Sequence, residues 1–350
     1  MKKEMTLRFA LLLMAAACMT FTACSGGDDE EEIVPPANGE AQGGDNGGGE
    51  GGGEGGEDPD PQINYNEGSN TSRVIAPFKG TDGVEYRLSQ CASYQFTYDT
   101  EGQLASVDGN HVSNPFSWSA SSEMGDAIDT YNYSITRYDY GFLRSYRYKD
   151  SHEGPGIRYR TDATFTFTYD RNGHVSKIQE EEKSENVEEW INTDVTTSST
   201  TYSCTWEGDN LVKLVVATNG KSEGTPFDSF IDEESGYSYT TQIDASYTFE
   251  YQDVENVTRQ PTLGFAVALF GPVSSAWCEA DRLVLLGLLG KAPKNFLKSV
   301  TVVSYHSERS DGYPAFRPEF PQGVSSVTLD AAGRVASEET ITGRTITYWY

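Results

Sequence analysis

From Ser72 onward, aromatic and polar residues alternate in short runs. Tyr94, Phe96 and Tyr98 stand two apart, as do Phe165, Phe167 and Tyr169, and again Tyr202, Cys204 and Trp206. A period of two sets these side chains on one face of a strand and leaves Thr, Ser, Glu and Gln on the other. Each run ends in a polar turn and is followed by an aliphatic return. Asp99-Thr100-Glu101-Gly102 leads to Leu104 and Val107, and Asp170-Arg171-Asn172-Gly173 to Val175 and Ile178. Glu207-Gly208-Asp209-Asn210 leads to Leu211 and Leu214, and Asp330-Ala331-Ala332-Gly333, after Val327 and Leu329, to Val335. Asp at the first position accepts from backbone two residues on, and Gly at the fourth takes positive φ, as a type I hairpin turn requires. Looser copies lie at "YSITRYDYGFLRSYRY" and "YTFEYQDVENV". The pattern predicts an all-β fold, an up-and-down antiparallel meander curled into a barrel-like sheet so that its edges are not left open.

One block breaks the alternation. Residues 261–300, "PTLGFAVALFGPVSSAWCEADRLVLLGLLGKAPKNFLKSV", are the most apolar part of the chain after its first segment. Ala280 to Leu289 reads as one short buried helix, with Asp281 near its start, Gly290 as its stop and Pro293 just beyond. Core filling at the end of the sheet is the expected role, with a ligand lid as the alternative.

The N-terminal part follows other rules. "MKKEMTLRFALLLMAAACMTFTAC" has a basic start, an apolar stretch too short to span a bilayer, and small residues ending at Cys24. That is the build of a secretory signal over residues 1–23, and its end resembles a lipobox, which makes Cys24 the expected lipidation site. The acidic run Asp28 to Glu32 resembles a surface-export signal. Residues 24–70 read as the lipidated cysteine plus a disordered, Gly-rich acidic tether, and residues 71–350 as a single antiparallel β domain. Residues 1–60 carry three bases and thirteen acids, so the net charge of −27 becomes −17 for residues 61–350. A domain this acidic repels phosphate backbones, which excludes nucleic acid as a partner. Cys91, Cys204 and Cys278 allow at most one disulfide, and their spacing does not choose the pair.

Together the hairpin sequences "FTYDTEGQLASV", "FTYDRNGHVSKI" and "YSCTWEGDNLVKL", the block ending "LLGLLGKAPKNFLKSV" and the closing "VTLDAAGRVASEETITGRTITYWY" resemble a family of uncharacterised Bacteroides-type lipoproteins. That family is a domain of unknown function with a porin-like fold, and the resemblance covers roughly residues 70–350. It implies a barrel-like antiparallel sheet and brings no catalytic residues.

The chain carries few signs of chemistry. His111, His152, His174 and His306 show no paired metal spacing, and no catalytic motif, metal site or cofactor site is expected. His111 and His174 follow hairpin turns and are expected to be exposed, so that His174→Ala is nearly silent while Gly173→Val destabilises. Trp118 and Trp190 fall in polar stretches outside the clean alternation. As exposed rings they are candidates for stacking on sugars or anchoring a protein; packing back on their own sheet is the other reading. The sequence therefore points to a lipid-anchored protein of the outer membrane, displayed at the cell surface, binding a glycan or protein without catalysis. The alternatives are a pore-forming outer-membrane barrel, suggested by alternating Ile346, Tyr348 and Tyr350, or an accessory subunit of an outer-membrane transporter.

Overall fold

The computed structural model describes residues 68–124, 126–188, 192–226, 236–270, 280–312 and 322–350. Cys24, Trp190 and Cys278 lie outside them. β1 (Phe78–Lys79) and β2 (Glu85–Tyr86) form a small ribbon. Sixteen further strands form one antiparallel sheet. Its short strands are β3 (Gln90–Cys91), β4 (Tyr94–Tyr98), β5 (Leu104–Val107) and β6 (Asn110–His111) at one end of the order. The long ones are β7 (Ser117–Met124), β8 (Ala127–Arg137), β9 (Leu143–Gly154), β10 (Ile157–Tyr169) and β11 (Val175–Glu188). They continue with β12 (Asn192–Glu207), β13 (Asn210–Pro226), β14 (Tyr237–Glu255) and β15 (Asn295–Arg309). β16 (Gln322–Leu329), β17 (Val335–Thr340) and β18 (Thr345–Trp349) complete it, and β18 pairs with β3.

Neighbours in the sheet follow the chain, apart from that β18–β3 pairing, so the meander is up-and-down as the alternation predicts. The order begins at β6 and ends at β7, which are consecutive in sequence. At this seam Ser113 and Ser117 exchange backbone hydrogen bonds of 2.7 and 3.4 Å, bringing the two ends of the sheet together into a nearly closed barrel.

Three of the four predicted turns share one geometry. In each, the Asp carboxylate (Asp99, Asp170, Asp330) accepts from the backbone N–H two residues on at 2.9 Å, and the Gly takes φ between +73° and +83°. The fourth differs: Gly208 and Asp209 both have positive φ and Glu207 faces Asn210, a two-residue type I′ turn. The Gly sits second in that motif rather than fourth, which moves the left-handed position. "YSITRYDYGFLRSYRY" is a hairpin, with Gly141 at φ +89°. "YTFEYQDVENV" is not; it is the end of β14, which leaves the sheet at Asn256.

Phe165, Phe167, Tyr146, Tyr202, Tyr247 and Leu214 all point inward and are fully buried. Two helices lie against them: α1 (Leu263–Phe270) and α2 (Ala280–Leu285). α2 and the turn to Leu289 occupy the predicted place, while α1 falls where the sequence shows only an apolar run. Thr262 starts α1, its hydroxyl accepting from Phe265 N and its carbonyl from Ala266 N. A helix apolar nearly all round, as α1 is, belongs in a core, and α2 adds buried Leu283, Val284 and Leu285 to the same filled end of the barrel. Phe270 meets Phe165 edge-on at 6.4 Å and Phe265 lies 6.3 Å from Trp206. A buried Glu338 carboxylate accepts from Gly264 N at 3.2 Å, and a Cβ on Gly264 would sit 2.4 Å from Val324. Ile346 and Tyr348 face this same packed interior, the Tyr348 hydroxyl donating to Glu338.

Beyond the packed end the strands continue, the inward residues of β11–β13 become polar, and burial fades. β14 buries Ala245, Tyr247 and Phe249, but Tyr237–Asp244 before them is exposed or half-buried. The outward face is polar along most of the length of the central strands. One outward row across β9–β13 reads Lys149, Asp162, Lys183, Thr197, Lys221, and the next reads Arg147, Thr164, Glu181, Ser199, Asn219.

Candidate functional site

The inward faces of β7–β10 form a lattice of three rows fixed by strand register. Trp118, Tyr133, Tyr148 and Ala163 face one another in the first; Ala120, Tyr131, Asp150 and Thr161 in the second; Ser122, Asp129, His152 and Tyr159 in the third. Chemistry therefore grades from aromatic to ionisable along the barrel axis. Trp118 lies in phase with this pattern after all. It is 4% exposed and stacks on Tyr133 with centroids 4.8 Å apart, continuing an aromatic ladder through Tyr148. Of the two readings of Trp118, exposed ring or ring packed on its own sheet, the structure gives the second, through inward register on the edge strand, which the seam then covers.

Trp118 also walls a cavity of about 210 Å³ at the seam, together with Tyr131, Tyr133, Asp108, Asn110, Ser122 and Arg282. Ala120, the smallest residue of the lattice's second row, also lines it and leaves the space open. Asp108 and Gly109 take φ of +48° and +80° and form the type I′ turn between β5 and β6, which aims the Asp108 carboxylate at the cavity. One of its oxygens accepts from Gln95 N at 2.7 Å and the other from Arg282 Nε at 2.7 Å. The Arg282 guanidinium lies 4.6 Å over the Tyr94 ring, and Tyr94 donates to Asp281. These contacts pin α2 to the short-stranded side of the seam and hold the polar groups of the cavity in place before any ligand arrives.

Behind Ser122, its hydroxyl donates to Asp129 at 3.2 Å, and the other Asp129 oxygen meets His152 Nδ1 at 2.6 Å. The carboxylate stands in the middle, so the imidazole cannot take the serine proton. These are the residue types of a catalytic triad in an order that activates no nucleophile. The arrangement offers flat rings, hydroxyls, an amide and an ion pair, which is the equipment of a binding pocket.

Glu180 and His174 are buried ionisable groups elsewhere in the barrel. Glu180 points inward at the level where the core gives way to polar residues and accepts from the Tyr202 hydroxyl at 2.7 Å. Burial pushes its carboxyl up to about 7, against the lowering effect of that hydrogen bond, and the nearby Glu182 and Glu181 push the same way. His174 is buried, contrary to the exposed position expected of it, whereas His111 is exposed. The His174 ring stacks on Trp206 at 4.5 Å between Asp170 (3.4 Å) and Asp209 (3.5 Å), and its backbone bridges to Gly290. Trp206 comes from the next hairpin and Gly290 from the segment after α2, so nothing local in the sequence announces the burial. Cys91 and Cys204 are both free thiols.

No protein-family model and no curated protein matches the chain. A solved structure described as a porin-like protein from Bacteroides uniformis aligns at 13% identity with a TM-score of 0.21, over 67% of this chain and 94% of its own. Similarity that loose carries no argument, and the resemblance to the lipoprotein family rests on its hairpin motifs.

Proposed function

We propose that this protein is a lipid-anchored, non-catalytic glycan-binding protein whose seam cavity takes one ring of a sugar chain. The observation that carries the reading is the Trp118–Tyr133 wall facing Asp108, Asn110 and Ser122 across a small preformed space. Sugars offer apolar ring faces to aromatic side chains and hydroxyls to carboxylates and amides. About 210 Å³ is below the roughly 300–1,000 Å³ of pockets for drug-sized ligands, which suits a single ring. Attachment through Cys24 and display at the cell surface belong to the same reading, supported by the lipobox-like sequence and the tether composition. Incorporation of a labelled fatty acid, lost in Cys24→Ala, is its direct check.

The barrel in this reading stands in water. A transmembrane barrel turns an apolar band toward lipid, and here the outward rows carry Lys, Arg, Asp, Glu, Thr and Ser. The chain-end alternation that suggested a pore is accounted for by the packed core around Glu338. A glycan array followed by calorimetric titration tests binding: the expected result is a saccharide ligand whose affinity is lost in Ala120→Leu. Turnover of a saccharide by the purified protein, or a Cys24→Ala chain that is monomeric only in detergent, overturns the reading.

A further inference from the structure

The third row of the inner lattice does not end at Tyr159. Register carries it on through Asn186, Asp194, Gly224 and Tyr237, so one row crosses the inner face from Ser122 on β7 to Tyr237 on β14. The second row continues beside it through Ser184, Thr196, Ser222 and Tyr239. At this height the short strands have stopped. Among the described residues, β16 pairs with β15 only at Ser299 and Val300, and the seam bridges to β7 only at Ser117. β7–β15 therefore go on as an open sheet, whose inner face is concave through the curl of the barrel.

Two rings of the third row lie along this face instead of standing off it. The Thr161 hydroxyl donates to the Tyr159 hydroxyl from two residues along the same strand. Tyr237 leans across onto β13. A Cβ on Gly224 would sit 2.5 Å from the Tyr237 Cζ and hydroxyl, and equally close to an Asp194 oxygen, so only glycine leaves room for that ring. Tyr239 supports it at 6.2 Å, within 11° of parallel, and the Arg309 guanidinium lies 3.8 Å from the Tyr239 centroid, paired with Asp311 at 2.6 Å. Tyr159 and Tyr237 are both half-buried, so part of each ring is open to the concave space. Four strand steps of about 4.8 Å, about 19 Å in all, separate them. Hydroxyls, an amide and a carboxylate fill the interval.

The charged groups facing this space are Asp129, Asp150, Glu182 and Asp194, with buried Glu180 behind them, against His152 and Arg309. An excess of carboxylates disfavours a chain of uronic or sulfated sugars and offers strong acceptors to the hydroxyls of a neutral one.

We propose that this row continues the seam site. A neutral glycan chain places its end ring in the seam cavity beside Ser122 and crosses the concave face, with later rings stacking first on Tyr159 and then on Tyr237. The inference rests on the glycan reading of the seam and adds the form of the ligand, a chain of several neutral sugars, and two further binding residues.

The experiment is calorimetric titration of the full-length protein with xylo-, cello- and malto-series single sugars, trisaccharides and hexasaccharides. Galacturonate and glucosamine hexamers are the charged comparisons. The expected result is affinity that rises with chain length in at least one neutral series, with neither charged hexamer binding tighter. Tyr159→Ala lowers hexasaccharide affinity about fivefold, as loss of one stacking contact does, and leaves the single sugar unchanged. Tyr237→Ala lowers hexasaccharide affinity but not that of the trisaccharide. Phe at either position keeps most of the affinity, as stacking requires, and Ser238→Ala on the outer face changes nothing. Thermal melting confirms that each variant is folded. Affinity independent of chain length, a charged hexamer that binds tighter, or folded Tyr159→Ala and Tyr237→Ala variants that bind the hexasaccharide as the parent does would each overturn the proposal. Loss of all binding in Ala120→Leu would then leave the seam reading standing. Single-sugar binding that survives Ala120→Leu overturns the seam reading, and no saccharide binding at all overturns both.

Discussion

The two ends of the barrel are built from the same strands by opposite rules. At the packed end, inward positions are Phe, Tyr, Leu and Ile, two helices fill the space, and cross-barrel contacts fix nearly every side chain. Along the outer reach of β11–β13, inward positions are Thr, Ser, Glu, Asp, Asn and Gly, and burial fades within a few residues. β10 shows the change in one strand: Thr161–Tyr169 alternates buried and accessible, while Ile157–Arg160 buries nothing. Strand pairing by itself does not need a core once a packed end anchors the hairpins. Stability is therefore concentrated at one end, and the other is free to present chemistry.

Four tests, using six substitutions, probe that division, beginning with the largest effect. Phe165→Ala removes a fully buried ring that touches Tyr146 and Phe270, and lowers stability by about 3–5 kcal/mol, whereas its outward neighbour Thr164→Ala stays within about 0.5 kcal/mol. Urea unfolding measures both, and equal effects would erase the contrast.

Glu180 tests the boundary between the ends. Its carboxyl is raised from 4.5 to about 7 in the folded protein, so the folded state holds the proton more tightly than the unfolded chain. The contribution is fully present below about pH 4.5 and is lost as pH rises through about 7, amounting to about 3 kcal/mol. Glu338, also raised by burial, acts in the same direction. Glu180→Gln is expected to flatten part of the decline in stability between pH 4.5 and 7, and an unchanged pH profile would place the boundary elsewhere.

Smaller again is His174→Ala, which empties a buried site against Trp206 and costs about 1–3 kcal/mol, while His111→Ala is silent. Thermal denaturation of the pair checks it. The least disruptive is Ala120→Leu, which fills the seam cavity: stability changes by less than about 1 kcal/mol while sugar binding disappears. Retained binding would remove the cavity from the functional account.

Much of the fold was legible because hairpins are local. Asp170 and Gly173 announce their turn through a side chain and a φ angle, and Phe165 to Tyr169 announce their face by period two alone. α1 was not legible: "LGFAVALF" is apolar at almost every position, so it has no amphipathic period, and its identity depends on Thr262 and on Glu338 from a distant strand. The candidate site was half legible. Trp118, Ala120 and Ser122 alternate correctly, but Ala and Ser on the inner face hide the strand's orientation, and that absence of bulk is what makes the cavity. Arg282 reaches it from a helix 174 residues away from Asp108 in sequence, a meeting no local pattern records. The burial of His174 is hidden for the same reason, since it packs on Trp206 and bridges to Gly290.

The pairing of β18 with β3 also has a consequence in time. Tyr348 lies opposite Cys91, so the sheet's early strands find their partner only when nearly the whole chain is present. Contacts so distant in sequence form slowly, because a long loop must close before they repay its entropy. Until then the aromatic faces of the intervening hairpins stand open to water and to one another. A chain crossing a membrane unfolded would emerge in this state, in need of a holdase until its last strand arrives.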